Sequence, residues 1–140
     1  MLAYTYYESD NRVRRYAEAL VKSGNDVDAI VLRRDGQVSF EVIAGVRVYR
    51  IQTRVIDERR PFSYLAKLLI FLFRSAWEIT VRHIRARYDV IHVHSIPDFH
   101  VFATVLPRLA VAQVILDIRD IVPELYASKF KVSEQSIVFR

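Results

Sequence analysis

Cysteine is absent from the 140 residues, and glycine (three) and proline (four) are scarce. The first absence excludes a disulfide framework, a zinc knuckle and a thiol nucleophile, and it points to a reducing compartment. The few glycines form neither G-x-G-x-x-G nor G-x-x-x-x-G-K-[ST], so a nicotinamide cofactor or a P-loop nucleotide is not expected. They also leave no room for a collagen-like repeat or a low-complexity linker. G-x-S-x-G and H-E-x-x-H are missing too, which removes serine-hydrolase and zincin chemistry. A spanning helix needs roughly 20 predominantly apolar residues. The most apolar stretch, residues 64–73, already holds Lys67, and Arg74 and Glu78 follow it. The first residues carry no basic-then-apolar leader, so no secretory signal is expected.

Apolar side chains are abundant: 52% of residues are hydrophobic, enough for one buried core and too many for a disordered chain. The net charge of +5 is unevenly placed. Residues 47–87 hold ten Lys or Arg against three acidic residues, a segment of +7 that leaves −2 for the rest. Such a zone suits an anionic partner, or it is an Arg-rich solvated face.

Strand-like and helix-like patterns alternate along the chain. Residues 1–6 read as a strand. Ser9 and Asp10 are both good N-cap residues for a helix that carries Val13, Ala17, Leu20 and Val21 on one face and stops at Gly24-Asn25. Residues 27–32 read as a second strand. Residues 38–43 and 46–51 flank Ala44-Gly45, a two-residue hairpin turn. A helix is predicted over 62–87 behind Pro61, near 40 Å long at roughly 1.5 Å per residue, with a break inside it expected. A strand over 89–94, a helix from Pro97-Asp98 to about Leu109 and a strand around 114–116 follow. Short helices are predicted at 123–130 and from Ser133. The last residues stop without a capping signal, which predicts that the chain is one half of something larger. Val/Ile runs alternating with helices predict an α/β fold: a Rossmann-like, doubly wound parallel sheet with helices on both faces and a small β-hairpin insertion.

In such sheets the working residues gather at the carboxyl ends of the strands. Here those stretches are residues 6–9, 94–98 and 117–124. The first helix N-terminus, with Arg12 and Arg15 close behind, suits an anion; alternatively Asp10 is a cap and the arginines are solvated. His92 and His94 share one face of a strand, but no obvious third ligand accompanies them and no metal is expected. His94 reads as a polar crevice residue and His92 as a packed core histidine. Asp117, Arg119 and Asp120 suit sugar hydroxyls or acid–base work, or form a structural ion pair. On the helical wheel Lys67, Arg74, Glu78, Arg82 and Arg85 form one stripe, flanked by Tyr64, Ile70, Phe71, Trp77 and Val81. Leu65, Leu68, Leu69, Leu72, Ala76 and Ile79 make the predicted core face. Cations among exposed aromatics describe a helix lying in the interface of an anionic membrane, with Lys67, Arg74, Trp77, Arg82 and Arg85 as contacts. Packing of Ile70, Trp77 and Val81 on a neighbouring domain is the alternative. Nucleic acid is not expected, because no nucleic-acid motif accompanies the charge.

Three runs in register carry a resemblance: Tyr6-Tyr7 with Asp10-x-Arg12-Val13-Arg14-Arg15, residues 89–94 (DVIHVH), and Leu116-Asp117-Ile118-Arg119-Asp120 with Pro123-Glu124. Together they resemble the N-terminal domain of family 4 glycosyltransferases of the GT-B type, over essentially the whole chain. The resemblance implies two Rossmann-like domains facing a cleft and a retaining, metal-independent transfer from a nucleotide sugar. The acceptor is a glycan or lipid-linked molecule received by this domain. The nucleotide-sugar-binding C-terminal domain is absent from the sequence and would come in cis or from a partner subunit, so the chain alone would be inactive. Many relatives dock on the membrane through a basic helix of this domain, which implies a cytoplasmic protein, peripheral on the inner face. The expected catalytic residues are Arg119, Asp120 and His94, and the expected substrate contacts are Tyr7, Asp10, Arg12, Asp98 and Glu124. Arg119 stands where relatives commonly carry His; being permanently cationic, it holds phosphate or hydroxyl groups and shuttles no proton. The rival reading is a non-catalytic, membrane-associated subunit that recruits a separate catalytic chain.

Overall fold

A computed structural model describes residues 1–54, 61–94 and 98–118. Within them the chain runs β1 (Leu2–Tyr6), α1 (Asn11–Lys22), β2 (Asp28–Arg33), β3 (Phe40–Ile43), β4 (Val46–Thr53), α2 (Pro61–Arg85), β5 (Val90–His94), a 3₁₀ segment (Asp98–Thr104), α3 (Val105–Leu109) and β6 (Gln113–Asp117). The helices predicted beyond residue 119 lie outside the described residues.

The strands form one sheet in the order β3-β4-β2-β1-β5-β6. All neighbours are parallel except β3, which pairs antiparallel with β4. The fold is therefore the predicted Rossmann-like α/β sheet with a hairpin at one edge. Two apolar clusters cover its two faces. On one face Val13 and Ala17 of α1 pack on Ala3, Ala29, Val31, Val46 and Val48. On the other, Leu68, Phe71 and Ile79 of α2 join Leu2, Tyr4, Ile30, Leu32, Ile91 and Val93. From β1 the chain travels outward to β2 and β4, then returns to β5 and β6 on the other side. The direction reverses between β1 and β5, and sheets of this class bind their ligands outside the carboxyl ends of the strands at such a switch point.

Local chemistry sets the element ends. Asp10 caps α1 by accepting from the backbone N–H of Arg12 (3.2 Å) and Val13 (3.1 Å). Gly24, at φ +86°, closes that helix. The hairpin turns at Ala44 and Gly45, φ +49° and +84°, the double positive φ of a type I′ turn. A Cβ on Gly45 would meet Val21 of α1 at 2.7 Å, so the turn sits directly on the helix.

Three expectations change. α2 runs 25 residues without a break. The helix predicted through Leu109 is 3₁₀ over its first seven described residues and α-helical only over the last five. Pro107 removes a backbone donor and crowds the preceding turn, while Thr104 Oγ1 donates back to the Val101 carbonyl at 2.7 Å and tightens it. The face of α2 is also rotated. Among the described residues Leu68, Phe71, Ser75, Ile79 and His83 are its buried side chains, whereas Leu65 and Leu69, expected in the core, are nearly half exposed.

Candidate functional site at the sheet's carboxyl rim

His94 ends β5 and Asp117 ends β6, and the two are paired across the strands. Asp117 accepts from His94 Nδ1 through Oδ2 at 3.1 Å. Its other oxygen, Oδ1, ion-pairs with Arg12 at 3.5 Å. Arg12 stands in the first turn of α1, which follows β1, so three elements at the switch point deliver one side chain each. Behind them the His92 and His94 rings stack 4.1 Å apart, and Tyr16 of α1 lies over both at about 6 Å.

The electrostatics follow from these contacts. A hydrogen bond to Tyr16, then the Asp117 carboxylate, raise the Arg12 guanidinium further, so it is a fixed cation. Burial lowers His92 from the ordinary histidine value and keeps it neutral at pH 7. Asp117 spends one oxygen on a permanent cation and the other on an imidazole, and Nε2 becomes the acceptor of the His94 ring when Nδ1 carries the proton. His92, His94 and Asp117 bring their ligand atoms within 4.8 Å of one another. Asp117 thus supplies the third ligand that the histidine pair lacked in the sequence. Arg12 already places a positive charge against that carboxylate, where a cation would otherwise go.

The predicted site residues are placed unequally. Arg12 and His94 meet through Asp117, which the sequence grouped with Arg119 and Asp120 for sugar hydroxyls, acid–base work or a structural ion pair; among the described residues it pairs with Arg12. Its pairing with His94 had no sequence signal, because that partner lies 23 residues away. The two histidines exchange environments relative to expectation: His94 is buried and His92 only partly so. Tyr7, expected against substrate, is fully buried with Val13, Ala17 and Val31. Burial and then the Glu18 charge push its phenol up to about 12, and its hydroxyl has no hydrogen-bond partner among the described residues. Asp10 is the α1 cap. Asp98 opens the 3₁₀ segment with Oδ1 buried and unpartnered among the described residues. Arg119, Asp120 and Glu124 lie outside the described residues.

The loop between β1 and α1 is braced from beneath. Arg50 of β4, 3% exposed, donates to Glu8 in that loop, to Glu41 of β3 at 2.9 Å and to the Val38 carbonyl at 3.2 Å. Burial alone would raise the Glu8 carboxyl, but the bonds from Arg50 hold it below its ordinary value.

On α2 the cationic stripe does not form the outermost line. Arg82 lies over the Tyr49 ring at 3.4 Å and pairs with Glu78 at 2.9 Å; Arg74 donates to the Ile51 carbonyl at 3.1 Å. The Lys67 carbonyl accepts from Gln52 Nε2 at 3.0 Å. The stripe therefore leans on β4. The most exposed large apolar side chains of its described residues are Phe73 (70%), Trp77 (71%) and Ile84 (76%), with exposed Arg74 and Arg85 beside them. No helix among the described residues is long and apolar enough to cross a membrane.

The family model for a glycosyl transferase 4-like domain matches residues 9–135. The chain belongs to that family. The match begins at the loop before α1, so it takes in all three elements that build the Arg12–Asp117–His94 cluster. No curated protein and no solved structure matches the chain. The rim cluster is thus part of a glycosyltransferase domain, and a transferase role follows for the protein in general terms.

Proposed function

We propose that this domain is the acceptor side of a two-domain enzyme of the GT-B type. It would transfer a hexosyl group from a nucleotide sugar to a lipid-linked or cell-surface polysaccharide acceptor, with retention of configuration. The observation that carries the reading is the convergence of Arg12, Asp117 and His94 on the carboxyl rim of a glycosyl transferase 4-like domain. Arg12 and Asp117 are its solvent-facing members, with side-chain exposures of 46% and 16%, while His94 at 1% positions Asp117 from behind.

In front-face transfer the departing diphosphate gathers negative charge, and fixed cations with backbone donors stabilise it best. Arg12, the α1 N-terminus and Arg119 supply such groups without a resident metal, while Asp117, Asp120, Asp98 and Glu124 suit the hydroxyls of an acceptor sugar. The donor-binding domain is supplied in cis or by a partner subunit. The exposed aromatic ridge and cationic rim of α2 support a peripheral position on the cytoplasmic face of an anionic membrane.

The test uses the full enzyme with a panel of nucleotide sugars and a lipid-linked acceptor extract. Acceptor-dependent release of nucleoside diphosphate is expected, with the product anomer read by NMR. Asp117→Asn and Asp120→Ala should each lower turnover by about a hundredfold or more while the urea midpoint stays put. Wild-type turnover in both folded variants would remove the assignment. Loss of all transfer chemistry, together with stable capture of a separate catalytic chain, would favour the recruiting subunit.

A further inference from the structure

A groove of about 660 Å³ runs between α2 and the β3–β4 hairpin, away from the rim cluster. Arg33, Phe40 and Tyr49 line its sheet side; Phe73, Arg74 and Trp77 line its helix side. Two further arginines border it, and both are spent on carboxylates: Arg50 on Glu8 and Glu41, Arg82 on Glu78. Arg33 and Arg74 are different. Arg33 donates through Nε to Thr53 Oγ1 at 3.0 Å and Arg74 through Nη1 to the Ile51 carbonyl at 3.1 Å. Those bonds fix both guanidinium groups in place, but neither group is ion-paired among the described residues. The groove therefore presents two preorganised cations without an ion-pair partner among the described residues, one from β2 and one from α2, next to two aromatic rings that are about 70% exposed.

Few ligands satisfy both halves. A free anion leaves Phe73 and Trp77 in water, and an apolar peptide desolvates Arg33 and Arg74 without pairing them. An amphiphile with a phosphate head and a hydrocarbon tail satisfies both, since guanidinium groups bind phosphate in a bidentate fork and tryptophan sits at the boundary of headgroup and acyl chain. We infer that this groove seats the phosphate headgroup of one anionic phospholipid, with Phe73 and Trp77 against the start of its acyl chains. The inference rests on the membrane-surface part of the proposed function and deepens it. It replaces a helix lying flat on diffuse charge with a stoichiometric lipid site that includes a residue of β2.

The experiment measures binding of the full chain to phosphatidylcholine vesicles with and without phosphatidylglycerol, and to monomeric dihexanoyl phosphatidylglycerol below its critical micelle concentration. Trp77 reports directly through the difference in emission between wild type and Trp77→Phe. The expected result is a saturable blue shift with the monomeric lipid, none with inorganic phosphate, and about a fivefold loss of vesicle affinity in Arg33→Gln. Arg85→Gln removes equal charge from the rim of α2 outside the groove and should lose less. Equal losses in Arg33→Gln and Arg85→Gln, or no response to the monomeric lipid, would overturn the groove while leaving vesicle binding intact. A shift with inorganic phosphate alone would reduce it to an anion site. Absence of any binding to anionic vesicles would remove both this inference and the membrane reading. If Arg33→Gln fails to fold, the monomeric-lipid titration of the wild type decides the matter alone.

Discussion

Asp117 shows how much one side chain at a strand end can organise. It ties α1 to β5 through Arg12 and His94, and neither contact is local in sequence. Tyr7 is the opposite case, an aromatic at the crevice loop whose ring is spent on the core. Because its hydroxyl is buried without a described partner, Tyr7→Phe should leave stability unchanged or raise it by up to about 1 kcal/mol in urea denaturation. A fall in kcat/KM with unchanged stability would instead return the phenol to the substrate. His100 makes a pH prediction. It is buried against Tyr4, Phe71 and Phe99, with Nε2 3.3 Å from the Leu68 carbonyl, and burial lowers its pKa from 6.5. The folded state thus holds it neutral, and the unfolded chain takes up the proton first. Its contribution is complete above pH 6.5 and is lost as pH falls from there towards the folded value, at a limiting slope of about 1.4 kcal/mol per pH unit. His92 acts in the same direction. His100→Gln should flatten the decline of urea midpoints on the acid side, and an unchanged slope would show that other groups carry it.

Elements fail or hold through a few contacts each. The β3–β4 hairpin depends on Gly45, whose φ and whose 2.7 Å approach to Val21 both reject a Cβ. Gly45→Ala should cost more than 1 kcal/mol and loosen the packing of α1 on the turn, visible as faster amide exchange in both. Arg50 joins the same hairpin to the loop ahead of α1. Arg50→Gln leaves two carboxylates facing each other without their cation, and a loss of about 2–3 kcal/mol is expected after allowance for the partial exposure of Glu8 and Glu41. A loss confined to a few tenths would mean that solvent already screens the pair. α2 carries the lesson of the wheel. Periodicity located its amphipathic pattern, but the centre of the buried face was decided by Phe71 packing on Tyr4 of the sheet and by Arg82 folding over Tyr49. A long arginine covers apolar surface with its stem, so a cationic stripe need not point outward.

At the scale of the whole molecule, the sequence determined the α/β class, the hairpin at Ala44-Gly45 and a cap for α1 at Ser9 or Asp10, of which the structure uses Asp10. All three rest on local backbone chemistry, which a sequence displays directly. Of the three runs that resembled a family 4 glycosyltransferase, the described residues span the end of β1 with the start of α1, the whole of β5, and the end of β6. The tertiary structure alone decided the rest. Strand order put β5 between β1 and β6, and that adjacency made Asp117 the partner of both Arg12 and His94. Packing with Val13 and Ala17 of α1 buried Tyr7, and the sheet with Tyr16 enclosed His94, although both stand beside the polar stretches at the rim. The contact of α2 with β4 turned Phe73 and Trp77 outward and set Arg74 across a groove from Arg33. Each of these depends on which surfaces meet over separations of tens of residues, and side-chain burial at a crossing is set by the partner surface, which no periodicity in a single segment records.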